Sequence, residues 1–255
     1  MNGLLLHTAG NTASLTHARQ ALISRGFDFS PQPGPDVTHL LLPVPSFDAD
    51  GSLKGGSSLQ EILARLPKDI TVIGGNVQHP ALAGYRVWDL LKDPVYVAAN
   101  AALTADCAIR IAGKHLLTAF QECPVLVIGW GRIGKCLAAQ LRALGTRVTV
   151  STRKPEDLAI LSALGYGSVP TGVMHSTLSR FRVVFNTAPV PVISREQAVL
   201  FSPDCIVIDL ASVKGIAGDR VLWERGLPNR LLPEASGLLI AKSIIRLIAG
   251  KEIVS

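Results

Sequence analysis

Residues Cys123–Gly134 read CPVLVIGWGRIG, and this stretch decides the fold. Val125 to Ile128 is a short, β-branched apolar run behind Pro124, the pattern of a strand buried on both faces of a parallel sheet. Gly129, Gly131 and Gly134 follow in G-x-G-x-x-G spacing, and KCLAAQLRALG then carries helical periodicity up to Gly145. Strand, glycine turn and helix in this order suit a dinucleotide. The first glycine permits the tight turn, the second lets the backbone approach a pyrophosphate, and the third lets helix and strand pack closely. Free N–H groups and the helix dipole at the N-terminus then favour the phosphates.

Downstream, Arg147 to Val150 reads as the next strand, followed by Ser151, Thr152, Arg153 and Lys154. A site for NAD usually shows an acid about 20 residues beyond the first glycine, bound to the ribose hydroxyls. Here two hydroxyls and two cations stand instead, so NADP(H) is preferred over NAD(H), the cations and hydroxyls holding the 2′-phosphate. The alternative is that Arg153 and Lys154 only decorate a helix start at Pro155. A third strand is expected near Gly167–Pro170 and a fourth at Val183–Phe185, leading to Asn186, Thr187, Ala188 and Pro189. The polar pair at that strand end faces the ligand crevice, or is an ordinary turn. Ser194 and Gln197 form a capping box. Ile206–Leu210 is a fifth strand, bringing Asp209, Ser212 and Lys214 to the same sheet edge. Asp209 is either a cofactor contact or a structural acceptor for backbone N–H groups.

Upstream, a strand over Leu4–Leu6 precedes a helix capped by Thr12 or Ser14 and stopped at Gly26. Val37–Val44 is a second buried strand, and a loop follows with its tight turn at Asp50-Gly51. A capping box at Ser58 and Glu61 opens a helix ended by Pro67, and Ile70–Ile73 is a third strand. Asp89 and Asp93 read as solvated turn residues. A long alanine-rich helix from Tyr96 stands immediately before the glycine motif. The fold class is α/β: a Rossmann doubly wound parallel sheet, preceded by a smaller α/β domain and a long interdomain helix. The expected divisions are residues 1–97 as a flavodoxin-like or truncated Rossmann domain, 98–118 as the bridging helix, 119–233 as the NAD(P)-binding domain, and 234–255 as a C-terminal helix returning to the first domain.

Composition sets the bounds. With 255 residues, 48% hydrophobic and 17% charged, the chain can bury a sizeable core. Its four cysteines are scattered without a C-x-x-C pair, which suits a reducing compartment and neither zinc nor a disulfide framework. The six histidines show no metal-ligand spacing, so no metal is expected. A net charge of +6 comes without basic runs or aromatic platforms, so no nucleic acid is expected, and the charge suits anionic ligands. The first residues lack a signal-peptide pattern, and Lys242 and Arg246 interrupt the apolar C-terminal stretch, so no membrane is expected and the cytoplasm is.

The run NAALTADCAI from Asn100, then VLVIGWGRIGKCLAAQLRALG, NTAP and IVIDLAS, together with LLLPVPSFDADG from Leu40, resembles the dipicolinate synthase A family. That family is related to the D-2-hydroxyacid dehydrogenases and to the cofactor domain of adenosylhomocysteinase. The resemblance implies a two-domain α/β protein of sporulating bacteria that binds a nicotinamide cofactor and works with a flavoprotein B subunit. Their product is dipicolinate, made from a small cyclic dicarboxylic acid, a dihydrodipicolinate-pathway intermediate. It carries Gly129, Gly131, Arg132, Ile133 and Gly134 over as the pyrophosphate turn, and Ser151, Thr152 and Arg153 as the adenosine-ribose position. Thr187, Pro189 and Ser212 fall beside the nicotinamide, and Asn100 and Thr104 at the domain junction. The catalytic candidates are Ser212, Lys214, Thr187 and Thr104, with cations and hydroxyls holding the substrate carboxylates. Exposed apolar positions on the C-terminal helix suit a homodimer. The alternatives are a D-2-hydroxyacid dehydrogenase, which would need a histidine in a late catalytic set where none follows His175, and a non-catalytic NADP(H)-binding scaffold.

Overall fold

The structure, a computed structural model, describes residues 3–56 and 58–252. The first two residues of the expected N-terminal segment, Ser57 in the expected loop and residues 253–255 of the expected C-terminal helix lie outside the described residues. The chain divides into two compact units. One runs up to Asn100 and resumes at Pro228; the other spans Ala101–Leu227.

The first unit is built from β1 (Leu5–Thr8), α1 (Ala13–Ile23), β2 (Asp28–Phe29), β3 (His39–Leu41), α2 (Leu59–Leu63), β4 (Thr71–Gly74) and β5 (Arg86–Asp89). Its five strands are parallel in the order β2-β1-β3-β4-β5, the flavodoxin-like order. Side chains alternate across the sheet. Leu41 and Ile73 enter one core with Leu22 and Ala18, while Leu40, Leu42 and Val72 enter a second core with Leu59 and Leu63. Thr12 caps α1, its Oγ1 accepting from the Leu15 N–H at 3.3 Å. Three strands are expected from the sequence; β2 and β5 are additional. The first has only two residues, and the second begins with exposed Arg86 and Val87, as an edge strand can, so neither shows an apolar run.

Next comes α3 (Pro94–His115), which starts earlier than residue 98 and stops short of 118. The cause is Asp93. Its carboxylate accepts from the N–H groups of Val95 at 3.1 Å and Tyr96 at 3.3 Å, and Pro94 needs no partner at the first helical position. Asp93 is therefore not solvated: its side chain is only 11% exposed and pairs with Arg246. Nor is Asp89, whose Oδ1 accepts from Asn76 N and Leu91 N, both at 3.0 Å. By length and composition α3 could cross a membrane. Its Tyr96, Ala101, Ala105, Ala108 and Ala112 are instead buried, which is the pattern of a core helix.

The second unit contains β6 (Val125–Ile128), α4 (Arg132–Ala143), β7 (Val148–Thr152), α5 (Pro155–Ala163), β8 (Gly167–Pro170), β9 (Val183–Asn186), α6 (Arg195–Ala198), β10 (Ile206–Asp209) and β11 (Val221–Trp223). The six strands are all parallel in the order β11-β10-β9-β6-β7-β8. Counted within the unit this is the 3-2-1-4-5-6 doubly wound arrangement, as the glycine motif implies. Its switch point lies between β6 and β9, where Ile128 is in register with Asn186. The Ser194–Gln197 capping box forms in full.

The chain ends with α7 (Leu227–Leu231) and α8 (Pro233–Glu252), and α8 packs in the first unit against α1. Ile240 and Ile244 join Leu15, Ala18 and Leu22 in one core. The helices approach so closely at Gly237 that an added Cβ would lie 2.5 Å from His17 Cβ and 2.6 Å from the Ser14 carbonyl. Asn229 fastens the same corner: its Oδ1 accepts the Ser14 and Ser236 hydroxyls at 3.0 and 2.7 Å, and its Nδ2 donates to the Val44 carbonyl at 2.5 Å. Gly237→Ala should therefore lower the unfolding free energy by about 1–3 kcal/mol, the usual cost of overpacking. Gly250→Ala, where the methyl would meet nothing within 4 Å, should be neutral or stabilising by up to about 1 kcal/mol. Urea unfolding of the two variants checks the contrast.

Candidate functional site

The switch point opens into a cavity of about 350 Å³ at the carboxyl ends of β6, β7 and β9. Its lining contains Gly129, Gly131, Ser151, Thr152, Arg153, Lys154, Thr187, Ala188 and Pro189, nine of the residues singled out in the sequence. Arg132, Ile133 and Gly134 form the first turn of α4 directly behind the glycine turn.

The three glycines do three different things. Gly129 has φ +101°, a left-handed conformation that a side chain would strain, and an added Cβ would lie 2.6 Å from Thr187 Oγ1. Gly134 is packed so tightly that its Cβ would lie 2.0 Å from the Gly129 carbonyl oxygen. Gly131, in ordinary extended backbone, is the N-cap residue of α4; its Cβ would meet nothing within 4 Å, and no side chain caps the helix. The protein itself does not require a glycine there. The glycine leaves open space before the uncapped N–H groups, the arrangement in which a pyrophosphate can be held. The residues present thus fit a dinucleotide.

Thr187 locks the turn from the opposite side. Its N–H and hydroxyl both donate to the Ile128 carbonyl, each at 2.9 Å. Asn186 and Asp209 are different. Both are fully buried and hydrogen-bonded to each other at 2.9 Å, so they are structural rather than cofactor contacts. Asp209 Oδ1 also accepts from Ala211 N at 3.0 Å, and Oδ2 accepts from Gly215 N at 2.7 Å and Ile216 N at 3.0 Å. Of the two roles open for Asp209, the structure takes the backbone acceptor, and its task is to shape the 210–216 loop.

That loop carries Ser212 and Lys214, both exposed. Neither lines the glycine-turn cavity. Lys214 lines a separate hollow of about 650 Å³ with Arg195 and Asp219, and its Nζ donates to the Gly218 carbonyl at 3.3 Å. Thr104 is half-buried on α3 and also outside the cavity lining. Of the four catalytic candidates, only Thr187 borders the cavity.

At the expected adenosine-ribose position the strand-end hydroxyls are turned inward. Ser151 is fully buried and its hydroxyl is paired with Thr171 Oγ1 at 2.8 Å. Thr152, nearly buried, donates to Asp157 Oδ2 at 3.3 Å and accepts from the Lys154 N–H at 3.4 Å. Both hydroxyls are already engaged, whereas Arg153 and Lys154 are exposed in the cavity lining. An acid does stand in this corner: Asp157, in the first turn of α5, lines the cavity. Its sequence signal is the Pro155 helix start, which brings the third helical residue back toward the strand end. Trp130 is a further lining residue not singled out in the sequence, packed edge-on against Tyr166 with ring centroids 5.9 Å apart. Burial pushes the thiol of Cys136, on α4, up.

No protein-family model matches the chain. The A-type subunit of dipicolinate synthase from Bacillus subtilis (strain 168) is 24% identical over 237 residues, covering 85% of this chain and 80% of that protein. The resemblance read from the motifs is borne out. The crystal structure of the dipicolinate synthase A-type subunit from Bacillus halodurans superposes with a TM-score of 0.86 at 21% identity, over 97% of this chain and 98% of the other. A transhydrogenase from Sinorhizobium meliloti gives 0.73 at 16% identity, over 96% and 93%. These structural likenesses show a dehydrogenase-type fold.

Asp209→Ala should cost about 3 kcal/mol or more, because three buried N–H groups and the Asn186 amide lose their acceptor together. A shifted urea midpoint with an unchanged m-value would verify it.

Proposed function

We propose that this chain is an oxidoreductase of the dipicolinate synthase A type that uses NADP(H) in preference to NAD(H). The observation that carries the reading is Gly131: an open space, guarded by no side chain, in front of an uncapped helix at the switch point of a doubly wound sheet. A nicotinamide cofactor bound there supplies hydride transfer to or from a substrate carbon. The N–H groups at the start of α4 hold the pyrophosphate. Arg153 and Lys154, exposed and without ion-pair partners among the described residues, take the 2′-phosphate. Thr187, Ala188 and Pro189 wall the nicotinamide end.

The substrate in this reading is a small cyclic dicarboxylic acid, as the relative's name and the motif order suggest. The Ser212 hydroxyl and the Lys214 ammonium, on the loop shaped by Asp209 and outside the glycine-turn cavity lining, are the groups this reading assigns to the substrate's carboxylates. Lys214 must first release the Gly218 carbonyl, a weak neutral acceptor that a carboxylate readily replaces. A flavoprotein B-type partner, a homodimeric state, a cytoplasmic setting and a role in sporulation belong to the same proposal.

Three measurements test it. Gly131→Ala should lower the unfolding free energy by no more than about 1 kcal/mol, the N-cap difference between Gly and Ala, while weakening binding of NADPH at least about tenfold, since the methyl enters the space meant for phosphate. Arg153→Ala should weaken NADPH binding roughly tenfold or more and NADH binding little, because only the former has the 2′-phosphate. Equal losses for both nucleotides would overturn the NADP(H) preference. Absorbance-monitored turnover of the dihydrodipicolinate-pathway intermediate, with and without the flavoprotein, tests the substrate.

A further inference from the structure

The adenosine corner holds cations and an acid together. Arg153 and Lys154 line the cavity and are exposed; among the described residues neither has a carboxylate at ion-pair distance. Asp157 lines the same cavity and is half-buried. One of its oxygens takes the Thr152 hydroxyl at 3.3 Å, and the other makes no bond among the described residues. Thr152 in turn accepts from the Lys154 N–H at 3.4 Å, so the carboxylate is fixed to the loop that carries both cations. A second acid, Glu156, stands next to it on the same turn but is exposed and does not line the cavity.

We infer that Asp157 is the specificity-limiting residue of this pocket: its negative charge opposes the 2′-phosphate that Arg153 and Lys154 attract, so the preference for NADP(H) is smaller than the two cations alone would give. The inference rests on the nicotinamide reading above. A carboxylate near a phosphate is repulsive whatever else it does, and partial burial weakens the screening. An NADH ribose, with a neutral hydroxyl in place of the phosphate, meets no such penalty and can donate to the carboxylate instead. Asp157 also has a positioning role through Thr152, which a substitution must preserve if the charge is to be isolated. Asp157→Asn does so, since its amide oxygen still accepts the Thr152 hydroxyl.

The test is direct titration of the purified chain with NADPH and NADH, read by quenching of tryptophan fluorescence, Trp130 being in the cavity wall. Asp157→Asn should tighten NADPH binding about three- to tenfold, the range expected of one partly screened charge. It should leave NADH binding unchanged or weaker, and the NADPH gain should shrink as salt is raised. Glu156→Gln should change neither. Equal shifts for both nucleotides, weaker NADPH binding, or the same gain from Glu156→Gln would overturn the inference while leaving the cofactor reading standing. Failure of the unsubstituted chain to bind either nucleotide would overturn both. Should Asp157→Asn be unstable, Thr152→Val with Asp157→Asn, compared with Thr152→Val alone, reads the same charge on a background where the hydrogen bond is already gone.

Discussion

Everything in the second unit depends on one close approach. Gly134, in the first turn of α4, lies so near the Gly129 carbonyl that a methyl there would stand 2.0 Å from its oxygen. That contact draws the start of α4 onto the end of β6. Thr187 completes the arrangement by donating twice to Ile128, so the end of β9 is tied to the same turn. The helix N-terminus is thereby aimed into the space where β6 and β9 part to opposite sides of the sheet. Neither propensity nor hydrophobic burial alone would fix that orientation. It follows from the absence of two side chains and the presence of one hydroxyl.

Behind this first layer stands a second one, fully buried. Asn186 and Asp209 end neighbouring strands in register, bond to each other, and spend their remaining capacity on backbone groups. An ionised or polar side chain is costly to bury unless satisfied, and here both oxygens of Asp209 are met by N–H donors. The result is a rigid platform from which two loops rise, 187–193 and 210–216. Polarity at the end of a central strand therefore serves two different ends in this chain. At Thr187 it borders the cavity, and one residue earlier it supports the wall. Because successive residues on a strand point to opposite faces, adjacent polar residues need not share a role.

This alternation explains what can be read from the sequence and what cannot. The order of strands, the glycine turn and the dehydrogenase-type fold are legible because they depend on local runs: VLVI before GWGRIG, β-branched strands, and glycines at fixed spacing. The cavity lining is legible where residues follow directly on a strand end. Asn186, Ser151 and Asp209 escape such a reading, because the sequence shows that a polar residue is at the edge but not which face it takes. Asp157 escapes it because its approach depends on α5 folding back from Pro155 toward the strand end. Lys214 closely follows the end of β10 in sequence, whereas the Asp209-organised loop carries it into a different hollow. The edge strands β2 and β11 are only two and three residues long, and β5 opens on exposed Arg86 and Val87, so none of them announces itself.

Charge follows the same logic of placement. A net charge of +6 says little until the pairs are taken out. Arg110 is held by Asp106, Arg182 by Asp204, Arg195 by Asp219 and Arg246 by Asp93, so four arginines are balanced where they stand. Arg132, Arg153 and Lys154 have no such partner among the described residues, and all three belong to the glycine turn or the strand end beside it. The exposed pairs among them, those of Arg110, Arg182 and Arg195, contribute little to stability and are screened by salt. Unpaired cations around a concave, partly desolvated mouth do the opposite, concentrating positive potential at one place. Arg153 and Lys154 therefore add positive charge at the mouth of this cavity, to which an anionic ligand is complementary.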